Sequence, residues 1–183
     1  MKSDARVRYT KMRIKNAFFQ LLKEKDFQHI TVTEICTLAE INRTTFYKHY
    51  LDTKDLLEKL EEAILESTKT QWKKLYPQNT PEGMESILTG LLTSDDDSVS
   101  SLFQADPNFS FRITEIICQD SCKSFMENTE NAYSKDQIEM LNRFIVYGCG
   151  SVTRKWLLTE KEHRMSPHEL AEFLFYLTEK LTH

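Results

Sequence analysis

The chain has 183 residues, 40% of them hydrophobic and 28% charged, with a net charge of −4, which is the composition of a soluble globular protein. No apolar run reaches the roughly 18 residues that a membrane span needs. The opening MKSDARVRYTKMRIK carries cations but no apolar segment and no small-residue cleavage site, so it does not read as a secretory signal, and the expected location is the cytoplasm.

Only 4 Gly and 4 Pro interrupt the chain, and alternating β-branched runs are nearly absent. Apolar positions recur at helical spacing almost throughout, which predicts an all-α fold. Ile14, Phe18, Leu21 and Leu22 share one face of a first helix over about 10–25, with Phe27 and Ile30 covering its end. Thr31-Val32-Thr33-Glu34 is a capping box, with Thr31 at the N-cap and Glu34 three residues on. It opens a short helix over about 32–39 with Val32, Ile35, Cys36 and Ala39 inward. Asn42 caps another short helix over about 43–49. Thr53 caps a long one that ends before Pro77. Asn79-Thr80-Pro81 starts a helix over about 81–92, and the acidic stretch from Thr93 to Ser98 reads as an exposed loop. Further helices are expected at about 98–104, 108–130, 135–159 and 166–182, with Pro107 and Ser166-Pro167 marking starts.

Charge is divided along the chain. Residues 1–59 hold 12 Lys and Arg against 8 Asp and Glu, whereas residues 60–183 hold 12 against 20. A basic head on an acidic body points to a head that meets a polyanion. The four cysteines, Cys36, Cys118, Cys122 and Cys149, form no C-x-x-C pair and have no histidine at ligand spacing. They read as small buried hydrophobes, and neither a metal site nor a cofactor is expected.

The two short helices after a first helix make a helix-turn-helix of residues 1–55, whose last helix would lie in the major groove. In Asn42-Arg43-Thr44-Thr45-Phe46-Tyr47-Lys48-His49-Tyr50, Phe46 and Tyr50 are four apart and share a face that can anchor the helix to its own core. Arg43, Thr44, Tyr47 and Lys48 lie on the other side, offering donors for phosphates and base edges and a methyl and an aromatic ring for thymine.

The segment from Thr33 through Tyr50, followed by Lys54-Asp55-Leu56-Leu57, resembles the signature of the TetR family: a helix ending in Ala, a turn, an Asn cap, a Thr-Phe-Tyr core, and a downstream Lys before paired leucines. The match covers about residues 10–60. It departs where this chain has Glu40 and Thr44 and the family often has Gly. The resemblance implies a transcriptional regulator that binds double-stranded DNA. In it Arg43, Thr44 and Thr45 would touch bases or adjacent backbone, Tyr47, Lys48 and His49 would touch phosphates and one base, and Thr33 and Lys54 would each hold a phosphate. It also makes Arg6, Arg8 and Lys11 a mobile basic arm ahead of the first helix; the plain alternative is a solvated terminus.

Residues 56–183 form the expected regulatory and dimerisation domain. They contain no Ser/His/Asp spacing, Gly-rich phosphate loop or paired carboxylates, so an enzyme is not expected. Ile138, Leu141, Ile145, Gly148 and Val152 recur at helical spacing, as do Leu170, Leu174 and Leu177. Each stripe could be core; in the family two terminal helices pair with those of a second copy, which makes these residues the expected homodimer interface. The resemblance also makes the body a ligand-binding unit, with Trp72, Phe103, Phe109, Ile113, Ile117, Phe125 and Tyr147 as candidate lining, or else as plain core. The resulting expectation is a homodimeric repressor, released from a near-palindromic operator by a small-molecule inducer. The alternative is an activator or co-regulator whose body docks a protein partner.

Overall fold

The computed structural model describes residues 2–75, 80–93, 98–129 and 133–182, and these contain helices and no strand. The helices are α1 (Lys2–Glu24), α2 (Val32–Leu38), α3 (Arg43–Tyr47), α4 (Thr53–Leu75), α5 (Pro81–Thr93), α6 (Ser98–Ala105), α7 (Phe109–Thr129), α8 (Lys135–Leu157) and α9 (Pro167–Thr182). Single 3-10 turns at Phe27–His29 and Lys161–His163 sit in the connections. None of the described helices is long and apolar enough to cross a membrane. The expected acidic loop at 93–98 falls mostly outside the described residues.

The chain divides into two compact units, Met1–Ala63 and Ile64–His183, so the division falls further along α4 than the expected 55/56. In the smaller unit, Ile14, Phe18, Ile35, Phe46 and Leu56 are fully buried. The Phe27 ring meets Phe18 edge-on at 6.2 Å and closes the end of α1. The predicted capping box forms: the Glu34 amide donates to Thr31 Oγ1 (3.3 Å) and the Thr31 amide to Glu34 Oε2 (3.0 Å). Glu34 also pairs with Lys25. The Thr45 amide donates to Asn42 Oδ1 at 2.7 Å and starts α3. Asp52, not Thr53, caps α4, since Asp52 Oδ1 accepts from the Asp55 amide at 2.8 Å.

Helix α1 corrects the expected basic arm. It begins at Lys2, so Arg6, Arg8 and Lys11 are helical, and Thr10 Oγ1 donates to the Arg6 carbonyl at 3.0 Å. The first turns carry no apolar periodicity because nothing covers them; Val7, Tyr9 and Met12 are exposed.

In the larger unit, α7 packs on α8 and α5 on α9, with α6 against both α7 and α8. Leu88, Leu102, Phe109, Ile138, Leu170 and Leu174 are its fully buried side chains. The α7–α8 seam is tight: a Cβ on Gly150 would meet Thr114 Oγ1 at 2.6 Å, a distance no real Cβ tolerates, so residue 150 has to be glycine for the helices to approach this closely. Asn142 Nδ2 crosses the same seam to donate to the Cys118 carbonyl at 3.1 Å. At the α8–α9 connection Trp156 Nε1 donates to the Met165 carbonyl (2.7 Å), and Arg164 covers the indole while donating to Leu157 O (2.8 Å). Ser134 with Gln137 and Ser166 with Glu169 cap α8 and α9 reciprocally.

Candidate nucleic-acid interface and cavity

Helix α3 has two unlike faces. Phe46 is fully buried, with the Tyr50 ring tilted against it at 5.6 Å. Arg43, Thr44, Tyr47 and Lys48 are exposed, Tyr47 by 54% although its ring edge touches Phe46. Arg43 does not hang free: its Nη2 donates to Thr33 Oγ1 at 2.6 Å, joining the first turn of α3 to the first turn of α2. Thr33 and Arg43 are thus placed side by side.

Other candidates are placed differently. Thr45 is half-buried and its hydroxyl donates to Asn42 Oδ1 at 2.8 Å, so it also serves the cap of its own helix. His49 is half-buried, its carbonyl accepts from Lys59 Nζ (3.2 Å), and its ring contacts Tyr50. Burial first, then Lys11 and Lys48, push the imidazole below its ordinary pKa. Lys54 is exposed and pairs with Glu58 at 3.5 Å, a contact weak enough to exchange for a phosphate. Arg6 and Arg8 are exposed on α1.

Two features of this surface were not read from the sequence. Glu40, in the turn between α2 and α3, has φ 48, the left-handed region where a side chain is strained. Its carboxylate pairs with Arg13 of α1 and so removes one cation from the head's free positive charge. The signal was there in the glycine that related signatures carry at this position.

The larger unit holds a cavity of about 260 Å³. Trp72, Phe103, Ile113 and Ile117 line it, as the sequence suggested. Phe109 does not: it is fully buried behind Phe103, ring centroids 5.6 Å apart. Tyr147 does not either, because its hydroxyl bonds to Glu115 and its ring packs on Phe111. The side chain of Phe125 lies outside the described residues. Asn142 and Thr114, which the sequence reading passed over, are among the lining groups. The half-buried Cys149 also lines it, with burial pushing its thiol up to about 11.

The expected dimer stripe is largely inward. Ile138, Leu170 and Leu174 are buried within the chain's own core, and Ile145 lines the cavity. Leu141 and Val152 are half-buried; Gly148 and Leu177 are exposed, and a Cβ on Gly148 would meet nothing. The strongest apolar stripe of a helix goes to its own core, so a stripe found by periodicity is the inner one. The exposed apolar side chains stand beside it: Met140 (71% exposed) and Phe144 (67%) on α8, Phe173 and Tyr176 (57%) on α9.

No family model matches the chain. A curated relative from Bacillus subtilis (strain 168), an uncharacterized HTH-type transcriptional regulator YxbF, is 38% identical over 53 residues, which is 29% of this chain and 14% of that protein. The match is thus to a small part of that relative's length. Among solved structures, a TetR transcriptional regulator from Streptococcus agalactiae 2603V superposes with a TM-score of 0.70 at 26% identity, covering 97% of this chain and 98% of that one. A TetR-family regulator from Syntrophomonas wolfei str. Goettingen (TM-score 0.62, 16% identity, 96% and 95% covered) shares the fold. So does the fatty acid degradation regulator FadR from Bacillus halodurans (0.60, 16%, 92% and 94%). The helix-turn-helix geometry and the superposition over 97% of the chain give it the fold of TetR-type transcriptional regulators, and at 26% identity it is similar to one of them.

Proposed function

We propose that the chain is a homodimeric repressor that sets α3 of each copy into a major groove of a near-palindromic operator. The observation that carries this is the division of α3: Phe46 is buried on one side, while Arg43, Thr44, Tyr47 and Lys48 are exposed on the other. Groups of this kind position a helix on phosphates and read base edges. Thr33, Lys54, Arg6 and Arg8 add backbone contacts. Met140, Phe144, Phe173 and Tyr176 give α8 and α9 an exposed apolar face suited to a second copy. A small molecule in the cavity lowers operator affinity by favouring a dimer that fits DNA poorly. The same aromatic face would also suit a different protein, in which case the chain is an activator or co-regulator.

The test is binding of the full chain to duplexes from its own promoter, from low to moderate salt. Log affinity should fall linearly with log salt as phosphate contacts displace counterions. No binding to any promoter fragment, or a flat salt response, refutes the assignment. Sedimentation at micromolar concentration separates the two readings of the apolar face: a dimer supports self-association, and a monomer leaves the partner protein.

A further inference from the structure

The cavity has a chemistry narrow enough to describe its ligand. This step rests on the reading of the larger unit as the ligand-binding half. Its inner wall is built from Trp72, Phe103, Ile113 and Leu157, all buried. An apolar cavity of 150 Å³ holds benzene, so about 260 Å³ has room for roughly ten non-hydrogen atoms.

Three polar groups of the lining have a proton engaged within the protein. Thr114 Oγ1 donates to the Ser110 carbonyl (2.9 Å), Asn142 Nδ2 to the Cys118 carbonyl (3.1 Å), and Thr178 Oγ1 to the Phe175 carbonyl (2.9 Å). A hydroxyl whose proton is committed still accepts through its oxygen. Thr114 is the buried hydroxyl at the α7–α8 seam, packed against Gly150, and both residues line the cavity. Among the described residues, formal charge reaches the lining only through Arg154, half-buried, and Glu179, exposed, and these have opposite signs. An anion seated against Trp72, Phe103, Ile113 and Leu157 would meet no charged side chain of that wall, and an unpaired buried charge is costly.

We propose that the cavity takes a compact, uncharged, mainly apolar molecule that donates one hydrogen bond, from a hydroxyl or N–H group, to the Thr114 hydroxyl oxygen. Titration calorimetry of the full chain without DNA tests this with three probes. Indole is neutral, of the right size and has one N–H; 1-methylindole lacks the donor; indole-3-carboxylate adds a charge. Indole should bind one per chain, 1-methylindole about fivefold more weakly for one lost hydrogen bond, and indole-3-carboxylate at least about tenfold more weakly. Thr114→Val keeps the shape at the Gly150 seam and should bring indole down to the level of 1-methylindole while leaving 1-methylindole unchanged.

Absent heat with indole overturns the proposal. So does carboxylate binding as tight as indole's, which would place an anion at Arg154, and so does a Thr114→Val chain that keeps the full indole preference. If that variant does not fold, as circular dichroism would show, the three-probe series on the wild type decides alone. A chain that ranks the probes as expected but binds no promoter DNA keeps the cavity assignment and loses the regulator; promoter binding without indole binding does the reverse.

Discussion

Arg43 Nη2 donates to Thr33 Oγ1 at 2.6 Å, so the two side chains at the start of α2 and α3 hold each other before any DNA arrives. A guanidinium fixed in this way has less rotamer freedom left to lose on binding. Thr33→Val should therefore lower promoter affinity by about 0.5–1.5 kcal/mol, the net worth of one hydrogen bond, without moving the thermal midpoint. Arg43→Ala should cost more, about 1–3 kcal/mol if the contact is to a base. Equal affinity of Thr33→Val and wild type would show that the pairing does not prepare the interface.

The two faces of α3 should answer to substitution in different ways. Tyr47→Ala and Lys48→Ala leave the fold intact and impair promoter binding. Lys48→Ala should also reduce the salt slope by about one, as for a single lost phosphate contact. Phe46→Ala removes a fully buried ring and should destabilise the smaller unit by roughly 3–5 kcal/mol. Circular dichroism and promoter affinity on the three variants check this; folded Tyr47→Ala and Lys48→Ala chains that bind like wild type would put the recognition face elsewhere.

Glu40 reverses an ordinary rule of substitution. At φ 48, glycine loses no conformational energy, and alanine keeps the strain while losing the Arg13 pair. Glu40→Gly should be more stable than Glu40→Ala by about 1 kcal/mol. Both variants free Arg13 and remove a carboxylate from the head, so both should bind promoter more tightly than wild type. Urea unfolding of the two variants settles the order, and an alanine variant at least as stable as the glycine one contradicts the left-handed turn.

Acid should weaken the smaller unit first. Lys25, then Thr31, hold the Glu34 carboxyl down to about 2 from an ordinary 4.5, so the stability this adds is present above 4.5 and lost as pH falls toward 2. The His49 pKa is also lowered, so the unfolded chain takes up its proton first and stability drops as pH falls through about 6.5. His168 in the larger unit runs the other way: Glu85, 2.9 Å away, raises its pKa, and that contribution is present below 6.5 and fades as pH rises through the folded value. Hydrogen exchange at pH 7.5 and 5.5 should show the smaller unit losing protection while the contact of α5 with α9 keeps it. His49→Gln should remove most of that loss; an unchanged loss assigns it to another group.

The apolar side chains of α8 and α9 separate core from interface. Phe144→Glu and Tyr176→Glu place charge on exposed positions and should give a folded monomer, because an obligate interface usually buries about 2,000 Å² or more. Leu174→Glu puts the same charge into the core and should unfold the larger unit instead. Sedimentation together with circular dichroism distinguishes the two outcomes, and a Phe144→Glu chain that stays dimeric removes this face from the interface.

The helices were legible where local chemistry marks their ends. Thr31 with Glu34 and Asn42 announce α2 and α3, and the same residues make the cap bonds in the structure. The start of α1 was not legible because Arg6 to Met12 turns no face to a core. The compact units part within α4, at 63/64 beside the expected 55/56, because no break in composition marks a boundary inside that helix. Periodicity picked Leu174 rather than Tyr176 because it registers burial, whichever surface supplies it. Neither Thr114 nor Asn142 stood out, since a polar group on an apolar wall gains its meaning from the opposite helix, and no spacing within one helix encodes that.

Both tryptophans of the chain, Trp72 and Trp156, fall in the larger unit, whereas the aromatic rings of α3 and its flank are Phe46, Tyr47 and Tyr50. Trp72 faces the cavity, and Trp156 is tied to the Met165 carbonyl at the end of α8. Indole emission is therefore silent about the recognition helix and reports solely on the half of the molecule that would hold a ligand. A promoter duplex that alters this emission must have acted across the chain. By the reciprocity of linked equilibria, the size of that response with and without a bound non-fluorescent ligand is a direct optical reading of the coupling between the two halves.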